Sequence, residues 1–395
     1  MSDFLPYGSH LLDDDDIAAV VDVLRAGPLT NGPKIQELEA SLCATIGAPE
    51  VVVVSNGTTA LHLAAVAAGL RFGDQAIVPA ITFLSTANVV RMCGADVVFA
   101  DVDPKTGLIT PETLGLAIRR SDPNRLKAVF PVAMNGQCED WAAIYGVCQD
   151  HNLIMISDNA HALGAHYKAG GNAGDCQYED FATFSFHPVK SIAMGEGGAI
   201  TVADKEMANR LRRLRSHGME RDPSSWSNNE IQALSAPWYY EAAELGYNYR
   251  ATDFQAALAL SQLKKLDFFM RRRRQIADRY AELFAEIDAP VVPMRKSEDC
   301  ESAWHLYPVL IDFDKAGLSR SSLMQSLQAE GIGTQVHYIP VSQQPYYKAL
   351  YGEQELPGVE AYYGSCLSLP IFPAMKQGDE ARVVEALRLC INNKT

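Results

Sequence analysis

The chain has little positive charge and no long apolar segment. Its 395 residues include 34 lysines and arginines against 48 aspartates and glutamates, a formal net charge of -14. Because phosphate contacts need a basic face, this balance argues against a protein that binds nucleic acid. No apolar run reaches the roughly 18 residues that a membrane-spanning helix requires. We therefore expect no membrane partner.

Motifs for metal binding, disulfide formation and dinucleotide binding are also missing. The eight cysteines form no CxxC pair, so the sequence predicts neither a metal site nor a disulfide framework, and reduced thiols are preferred. The acidic N-terminal segment lacks the apolar core of a secretion signal, so we expect a cytoplasmic protein. A glycine-rich turn, Gly195-Glu196-Gly197, precedes a predicted strand, whereas the loop that binds a nicotinamide dinucleotide follows one.

Short apolar runs alternate with helical patterns through the first half of the chain. The runs are continuous, as expected for strands that are buried on both faces. Helix-like stretches such as Thr59–Leu70 and Ser85–Cys93 lie between several of them. This order predicts an α/β fold with a mostly parallel sheet of about seven strands. The runs are Val51–Val54, Ala76–Val78, Val97–Ala100, Ala128–Val132, Leu153–Ile156, Phe181–Phe186 and Ala199–Val202.

The pattern changes near residue 250, where one long helix is predicted from Asp253 to Ile287. The run Arg271–Arg274 lies inside this helix. Four adjacent residues cover every side of a helix, so most of these arginines must be solvated or paired, with contact to an anionic ligand as the alternative. Shorter strands and helices follow Pro290. We therefore predict a large α/β domain, residues 1–260, and a smaller α+β domain, residues 261–395.

Four consecutive aspartates, Asp13 to Asp16, precede an apolar helical stripe that begins at Ile17. Carboxylates at a helix N-terminus accept hydrogen bonds from free N–H groups and face the positive end of the helix dipole. Helix capping is therefore preferred to a metal site as the explanation of this acidic run.

Polar residues and a glycine follow the first predicted strand, at the end of a parallel sheet where ligands bind. The segment Ser55-Asn56-Gly57-Thr58-Thr59 comes after Val54 and directly before an apolar helix. Free N–H groups, the helix dipole and side-chain donors at such a position favour a phosphate group. An ordinary capped turn is the alternative.

Two other predicted strands are followed by residues of distinctive chemistry. Asp158 closes an apolar strand, and a buried carboxylate needs a cationic or protonated partner, unless it only caps the next helix. Lys190 follows a second strand and is flanked by a glycine-rich turn. An amine in a pocket can form a Schiff base, whereas the alternative is an ordinary surface lysine.

Together these three features predict one cofactor site. Pyridoxal phosphate needs helix N–H groups for its phosphate, an acid for its ring nitrogen and an amine for its aldehyde. The helix N–H groups come from the segment that follows Val54, the acid is Asp158, and the amine is that of Lys190. The residues therefore favour an enzyme that depends on pyridoxal 5′-phosphate.

Eight ordered motifs extend along nearly the whole chain. They are Pro6-Tyr7-Gly8, Leu29-Thr30-Asn31-Gly32-Pro33, Ser55-Asn56-Gly57-Thr58, Asp158-Asn159-Ala160-His161, Ser185-Phe186-His187-Pro188-Val189-Lys190, Gly246-Tyr247-Asn248-Tyr249-Arg250, Trp304-His305-Leu306-Tyr307 and Val336-His337-Tyr338-Ile339-Pro340. This set resembles the motifs of the DegT/DnrJ/EryC1/StrS family of sugar aminotransferases. The resemblance implies the pyridoxal-phosphate transferase fold of type I, with a smaller C-terminal domain.

The resemblance also implies roles for individual residues around the cofactor. Lys190 would bond the cofactor's aldehyde, Asp158 would hold its ring nitrogen protonated, and His161 would lie near its phenolic oxygen. Phe83 would stack on the ring. Asn248 would reach the phosphate of the neighbouring subunit, which makes a homodimer necessary for activity. The other implied phosphate contacts are Gly57, Thr58 and Ser185.

Within the family, the chain is most similar to the transaminases of pseudaminic acid biosynthesis. This similarity implies a UDP-linked 4-keto-6-deoxy-N-acetyl sugar as the substrate and L-glutamate as the amino donor. Two residues depart from the family pattern: Ser9 stands where arginine is common, and Ser342 where histidine is usual. The candidate substrate contacts are Tyr7, Leu29, Thr30, Asn56, Arg250, His337 and Tyr338.

Three other functions are alternatives to this one. Sugar dehydratases of the same family replace the lysine with histidine, so Lys190 argues against that activity. An aminotransferase for another 3- or 4-keto nucleotide sugar is the main alternative. A non-catalytic binding or regulatory protein with this fold is a further alternative, although the lysine, the aspartate and the phosphate loop are all present.

Overall fold

The structure is a computed structural model that describes residues 4–228 and 236–392. Its central element is a sheet of seven strands. These strands are β1 (Glu50–Val54), β2 (Gln75–Pro79), β3 (Asp96–Ala100), β4 (Leu126–Val129), β5 (Ile154–Asp158), β7 (Phe181–Ser185) and β8 (Gly198–Val202). Their order across the sheet is β1-β8-β7-β5-β4-β2-β3.

The central sheet confirms the predicted fold class. All of its neighbouring strands pair in parallel except β8, which runs antiparallel to both β1 and β7. Each of the seven predicted apolar runs overlaps one of these strands. The strand that was predicted to reach Val132 ends at Val129, and the strand that was predicted over Leu153–Ile156 extends two residues further, so that Asp158 closes it as expected.

Helices of the first half cover the sheet and connect its strands. They are α1 (Asp14–Ala26), α2 (Pro33–Ile46), α3 (Gly57–Ala67), α4 (Leu84–Met92), α5 (Pro111–Arg120), α6 (Trp141–Asp150) and α7 (Lys205–Leu214). Short strands outside the central sheet are β6 (His166–Tyr167), β9 (Met219–Glu220) and β10 (Glu241–Ala242). A 3-10 turn forms at Met134–Gly136 and another at Pro223–Ser225.

Both faces of the central sheet are buried, which explains why its strands read as continuous apolar runs. In β1, the side chains of Val51 and Val53 belong to one hydrophobic core, whereas those of Val52 and Val54 belong to another on the opposite face. Successive side chains of a strand point to opposite faces, so every position of such a strand must be apolar.

The last part of the chain forms a smaller layer with its own core. A three-stranded antiparallel sheet of order β11-β13-β14 lies at its centre. The strands are β11 (Val291–Pro293), β12 (Cys300–Glu301, which pairs with β6), β13 (Tyr307–Ile311) and β14 (Cys366–Leu369). The helices are α8 (Asp253–Leu263), α9 (Leu266–Glu286), α10 (Phe313–Ala316), α11 (Arg320–Ala329), α12 (Pro345–Tyr351), α13 (Pro357–Ser365) and α14 (Asp379–Asn392), with a 3-10 turn at Val341–Gln343.

The division of the chain at residue 260 stays a prediction.

Within the described ranges, no helix combines the length and the apolar character that crossing a bilayer requires.

The prediction of one helix from Asp253 to Ile287 is wrong in one respect. The segment forms two helices, α8 and α9, which are separated at Lys264 and Lys265. Apolar residues continue at helical spacing across the break, so the sequence pattern does not reveal it. Lys265 there binds Asp16 at 2.9 Å, so the break places its ammonium group at the start of α1.

The acidic run at the start of α1 caps that helix. The side chain of Asp13 accepts hydrogen bonds from the backbone N–H groups of Asp15 and Asp16, and the Asp16 side chain accepts one from the Asp13 N–H. Asp16 is buried and also accepts a hydrogen bond of 2.7 Å from Gln262. Capping, preferred from the sequence, is therefore confirmed.

We expect the substitution Asp13→Ala to lower the free energy of unfolding by about 1 kcal/mol, because it removes the N-cap of α1. The matched control is Asp15→Ala, which removes a carboxylate from the same helical turn without removing the cap. Chemical denaturation followed by circular dichroism measures both changes. Equal losses in the two variants would contradict the capping role.

Candidate active site

A cavity of about 980 Å³ opens where the strands of the central sheet end. Its volume lies within the range of small-molecule sites. Residues of the segment 335–344 in the smaller layer also line the cavity. The cavity brings together eleven predicted site residues from distant parts of the chain: Tyr7, Asn56, Gly57, Thr58, Phe83, Asp158, His161, Ser185, Lys190, His337 and Tyr338.

Four other predicted site residues do not line this cavity. Leu29 and Thr30 are exposed, and the carbonyl oxygen of Leu29 accepts a hydrogen bond from the N–H of Asp253 at 2.9 Å. Asn248 is exposed and Arg250 is partly exposed. The roles proposed for these residues stay predictions, because they require a second subunit or a substrate that extends beyond the cavity.

The segment that was predicted to bind a phosphate forms the N-terminus of α3. Asn56 is the N-cap of this helix, and its side-chain oxygen accepts a hydrogen bond of 2.8 Å from the N–H of Thr59. A Cβ atom at Gly57 would lie 2.9 Å from the Cβ of Ser185, so only glycine lets the two segments approach this closely. The N–H groups of the first helical turn, beginning at Gly57 and Thr58, suit an anion.

Asp158 presents a buried carboxylate to the cavity. Its Oδ2 accepts a hydrogen bond of 2.8 Å from Thr86, and its Oδ1 accepts one of 3.1 Å from the N–H of Ala160. Burial raises the pKa of this carboxyl group, whereas the two donors and the charge of Lys190 act in the opposite direction. Because Thr86 donates its hydroxyl proton to Asp158, the 2.8 Å contact between Thr82 and Thr86 requires Thr82 to be the donor.

Lys190 lies in the loop that follows β7. Its backbone N–H donates to the carbonyl oxygen of His187 at 2.8 Å, which closes a tight turn and turns the side chain toward the cavity. Burial lowers the pKa of the amine to about 8, while the charge of Asp158 raises it and that of Arg273 lowers it. A large fraction of the amine is therefore neutral, and nucleophilic, at mildly alkaline pH.

Three buried histidines lie near enough to Lys190 for its charge to affect their pKa values. Burial holds the pKa values of His161 and His305 well below their usual range and lowers that of His337 to about 3, so all three are neutral imidazoles. The ring centroids of His161 and His305 are 4.2 Å apart. His161 Nε2 is 3.3 Å from the hydroxyl of Tyr338.

Two residues of the site were not selected from the sequence. Thr86 lies on α4 and reaches Asp158 across 72 positions of the chain, and nothing in its local sequence indicates this contact. His305 Nε2 lies 3.4 Å from Lys190 Nζ. His305 belongs to a motif that supported the family resemblance, which was the available signal, but a single histidine in an apolar segment also suits ordinary packing.

Arginines of the run Arg271–Arg274 form hydrogen bonds and an ion pair within the chain. Arg273 is buried and donates from Nη1 to three backbone carbonyl oxygens, those of Trp304, His305 and Ile371. Arg274 pairs with Glu301 at 2.7 Å, and Arg271 lines a smaller cavity of about 190 Å³ away from the site. Among the described residues, no group of three or more side chains is arranged to hold a metal ion.

Pyridoxal phosphate fits the groups that face the large cavity. The free N–H groups at the start of α3, beside Gly57 and Ser185, suit a phosphate. Asp158 is a buried carboxylate without an ion-pair partner in the described part of the chain, and a protonated ring nitrogen would be such a partner. The buried Nδ1 atom of His161 also lacks a hydrogen-bond partner in those residues, which suits a polar group of the cofactor. Lys190 supplies the amine.

Comparisons with known proteins agree with this geometry. A family model described as the DegT/DnrJ/EryC1/StrS aminotransferase family matches residues 10–388. The spore coat polysaccharide biosynthesis protein SpsC of Bacillus subtilis (strain 168) is 40% identical over 390 residues, which cover 98% of this chain and 96% of SpsC.

Solved structures show the same fold. PseC of Helicobacter pylori, an aminotransferase involved in the biosynthesis of pseudaminic acid, superimposes with a TM-score of 0.88 at 28% identity and covers 98% of this chain and 99% of its own. The PLP form of the sugar aminotransferase Spr1654 of Streptococcus pneumoniae has a TM-score of 0.87 at 28% identity and the same coverage.

Enzymes of the matched family use pyridoxal phosphate, so the cofactor predicted from the residues is confirmed at the level of the family. The same comparisons confirm that the chain is an enzyme. It belongs to the DegT/DnrJ/EryC1/StrS aminotransferase family.

Proposed function

We propose that this enzyme transfers the amino group of L-glutamate to the 4-keto group of a nucleotide-linked 6-deoxy sugar. The observation that carries the proposal is the convergence of Lys190, Asp158 and the N-terminus of α3 on one cavity. No local feature of a surface lysine or of a helix cap explains why these three groups meet. Family membership identifies amino-group transfer as the reaction type.

Each element of the cavity would hold one part of pyridoxal phosphate. The first turn of α3, with Gly57 and Thr58, and the hydroxyl of Ser185 would bind the phosphate. Asp158 would hold the proton of the ring nitrogen, and Phe83 would cover the ring. His161 would face the phenolic oxygen. When bound, this cofactor supplies an electron sink for the charge that remains on carbon after a proton is removed.

Lys190 would do the proton transfer. Its amine would take the proton from the α-carbon of the amino donor. The same amine would then return a proton to a carbon atom of the bound cofactor. A correctly placed base and acid of this kind contributes a factor of about 10²–10⁴. The lowered pKa of Lys190, about 8, keeps the neutral amine available for the first step and a protonated form accessible for the second.

Asp158 would supply the electrostatic part of the reaction. Its carboxylate is fixed by Thr86 and by the N–H of Ala160 before any ligand binds, so no reorganisation is needed when negative charge develops beside it. A carboxylate in a buried position stabilises a protonated ring nitrogen more strongly than the same carboxylate in water.

The relatives support a sugar that is built into a surface polymer. PseC acts in the biosynthesis of pseudaminic acid, and SpsC in that of a spore coat polysaccharide. We infer that a UDP-linked N-acetyl sugar, as in a pseudaminic acid pathway, is the acceptor. The alternative acceptor is another 3- or 4-keto nucleotide sugar. The 40% identity to SpsC, a protein of spore coat polysaccharide biosynthesis, supports this alternative.

A homodimer with shared active sites would supply the positive charge that the cavity of one subunit lacks. Glutamate and a nucleotide diphosphate are both anionic, whereas Lys190 is the one lysine or arginine that lines the cavity among residues 4–228 and 236–392. Asn248 and Arg250 have exposed surface and lie on one short segment. We propose that this segment of a second copy reaches the cofactor phosphate and the substrate, in the cytoplasm where nucleotide sugars are made.

Incubation with L-glutamate and a panel of keto nucleotide sugars should yield the amino sugar of the UDP-linked 4-keto-6-deoxy-N-acetyl substrate, together with an equal amount of 2-oxoglutarate. Mass spectrometry measures both products. The Lys190→Ala variant, which lacks the amine, should form neither. If keto sugars are refused while other keto acceptors are aminated, the sugar assignment is wrong.

Mixing two inactive variants tests the shared site. Lys190→Ala and Asn248→Ala should each have low activity, because each lacks one half of the site. In dimers reassembled from an equal mixture, one site of each mixed dimer is intact, so activity should recover to roughly a quarter of the original. Absence of recovery, with mixed dimers verified by native mass spectrometry, would place Asn248 in its own subunit's site or outside both.

The Thr86→Val variant should bind pyridoxal phosphate about tenfold more weakly, because Asp158 loses a donor that stabilises its charged form. Titration of the cofactor-free enzyme, followed by absorbance, measures the affinity. Thr86→Ser keeps the hydroxyl group and serves as the control. An affinity of the valine variant equal to that of the serine variant would show that the hydrogen bond is unimportant.

A further inference from the structure

A buried imidazole lies against the reacting amine and has no role in the mechanism described so far. His305 Nε2 is 3.4 Å from Lys190 Nζ. Two backbone contacts fix the position of His305: its N–H donates to the carbonyl oxygen of Asn135 at 3.1 Å, and its own carbonyl oxygen accepts from Arg273 at 3.2 Å. The ring is therefore held beside the amine by one contact to the turn at Met134–Gly136 and one to Arg273 of the smaller layer.

The other histidines of the site have different hydrogen-bond partners. His161 Nε2 faces the hydroxyl of Tyr338 at 3.3 Å, and His337 Nδ1 faces that of Ser368 at 2.8 Å. Among the three, His305 is the one within hydrogen-bond reach of Lys190 in the described part of the chain. A specific pairing of these two side chains is thus built into the fold.

The protonation states determine the direction of this hydrogen bond. Burial, and then the charges of His161, Lys190, Arg273 and His337, hold the pKa of His305 well below its usual range. His305 is therefore neutral, with one nitrogen that accepts and one that donates. A protonated lysine only donates. When Lys190 is protonated, Nε2 must accept from it, and the proton of the imidazole then sits on Nδ1, a buried atom without another hydrogen-bond partner among the described residues.

We propose that His305 is a further catalytic residue, which accepts a hydrogen bond from Lys190 and stabilises the ammonium ion that Lys190 becomes during proton transfer. The inference rests on the proposed function. When Lys190 takes the proton from the donor's α-carbon, the electron pair of the broken C–H bond stays with that carbon. The proton stays on Nζ and is later returned, and His305 never takes it.

This arrangement favours the reaction because the hydrogen bond strengthens as the reaction proceeds. A hydrogen bond from an ammonium group is roughly twice as strong as one from a neutral amine. The stabilisation is therefore greater after the proton has moved than before, which is the condition for acceleration. The same bond limits the rotation of the Lys190 side chain and keeps Nζ on the side of the cavity that faces His305.

Two amide variants separate this role from simple packing. In His305→Gln, an amide oxygen can occupy the position of Nε2 and still accept from Lys190. In His305→Asn, the shorter side chain reaches only the position of Nδ1 and cannot. The two variants have similar polarity, so they form a matched pair. His305→Leu removes the acceptor with an apolar side chain and is used if the asparagine variant does not fold.

The measurement is the rate at which cofactor-free enzyme binds pyridoxal phosphate covalently, followed by absorbance across pH. Only neutral Lys190 reacts, so the rate should rise through a midpoint of about 8 in the unaltered enzyme. The asparagine variant destabilises the ammonium form, so its midpoint should fall by about one pH unit. The glutamine variant should keep the original midpoint.

Turnover should respond in the opposite sense. In the asparagine variant, kcat should fall about tenfold even though its Lys190 is more often neutral and binds the cofactor at least as fast at pH 7. The glutamine variant should retain most of its kcat. A packing defect alone would slow both processes and leave the midpoint unchanged, and that pattern would overturn the proposal.

The same experiment distinguishes a failure of this inference from a failure of the proposed function. If the unaltered enzyme forms no covalent adduct at Lys190, then the proposed cofactor chemistry is wrong. If it forms the adduct but the midpoint is the same in the asparagine and glutamine variants, only the role of His305 is wrong. Thermal unfolding of each variant verifies that it is folded.

Discussion

Burial of an amine and a carboxylate around one cavity is the constraint on which the rest of this structure depends. In a low-dielectric site each charge is costly alone, and each is stabilised by the other. Burial accordingly moves the pKa of Asp158 upward and that of Lys190 downward to about 8, while each group's charge counteracts the shift of the other. The result is a nucleophilic amine at Lys190 and a carboxyl group at Asp158 whose charged form a bound cation would stabilise.

The central sheet places this pair. Asp158 ends β5, Lys190 follows β7, and the two strands are parallel neighbours. The helix that follows β1 begins at Gly57, which a contact with Ser185 at the end of β7 restricts to glycine. Rigid strands buried on both faces therefore fix the relative positions of the N-terminus of α3, Asp158 and Lys190.

The smaller layer completes the site through a buried cation. Arg273 bonds three backbone carbonyl oxygens, two of which belong to Trp304 and His305. Its guanidinium group has five donors in a planar arrangement, so one side chain can join several segments. Burial lowers the pKa of Arg273 to about 10, and the group stays charged. That charge helps to keep Lys190 and the neighbouring imidazoles neutral.

The parallel sheet could be predicted from the sequence, and so could the proximity of Asp158, Lys190 and the segment that begins α3, because continuous apolar runs and the residues directly after them are local signals. Long-range packing instead sets which arginine of Arg271–Arg274 is buried, where the helix after Asp253 breaks, and that Thr86 and His305 reach the site. These outcomes depend on contacts between residues far apart in the chain, such as the 115 positions between Lys190 and His305, and no local pattern encodes such contacts.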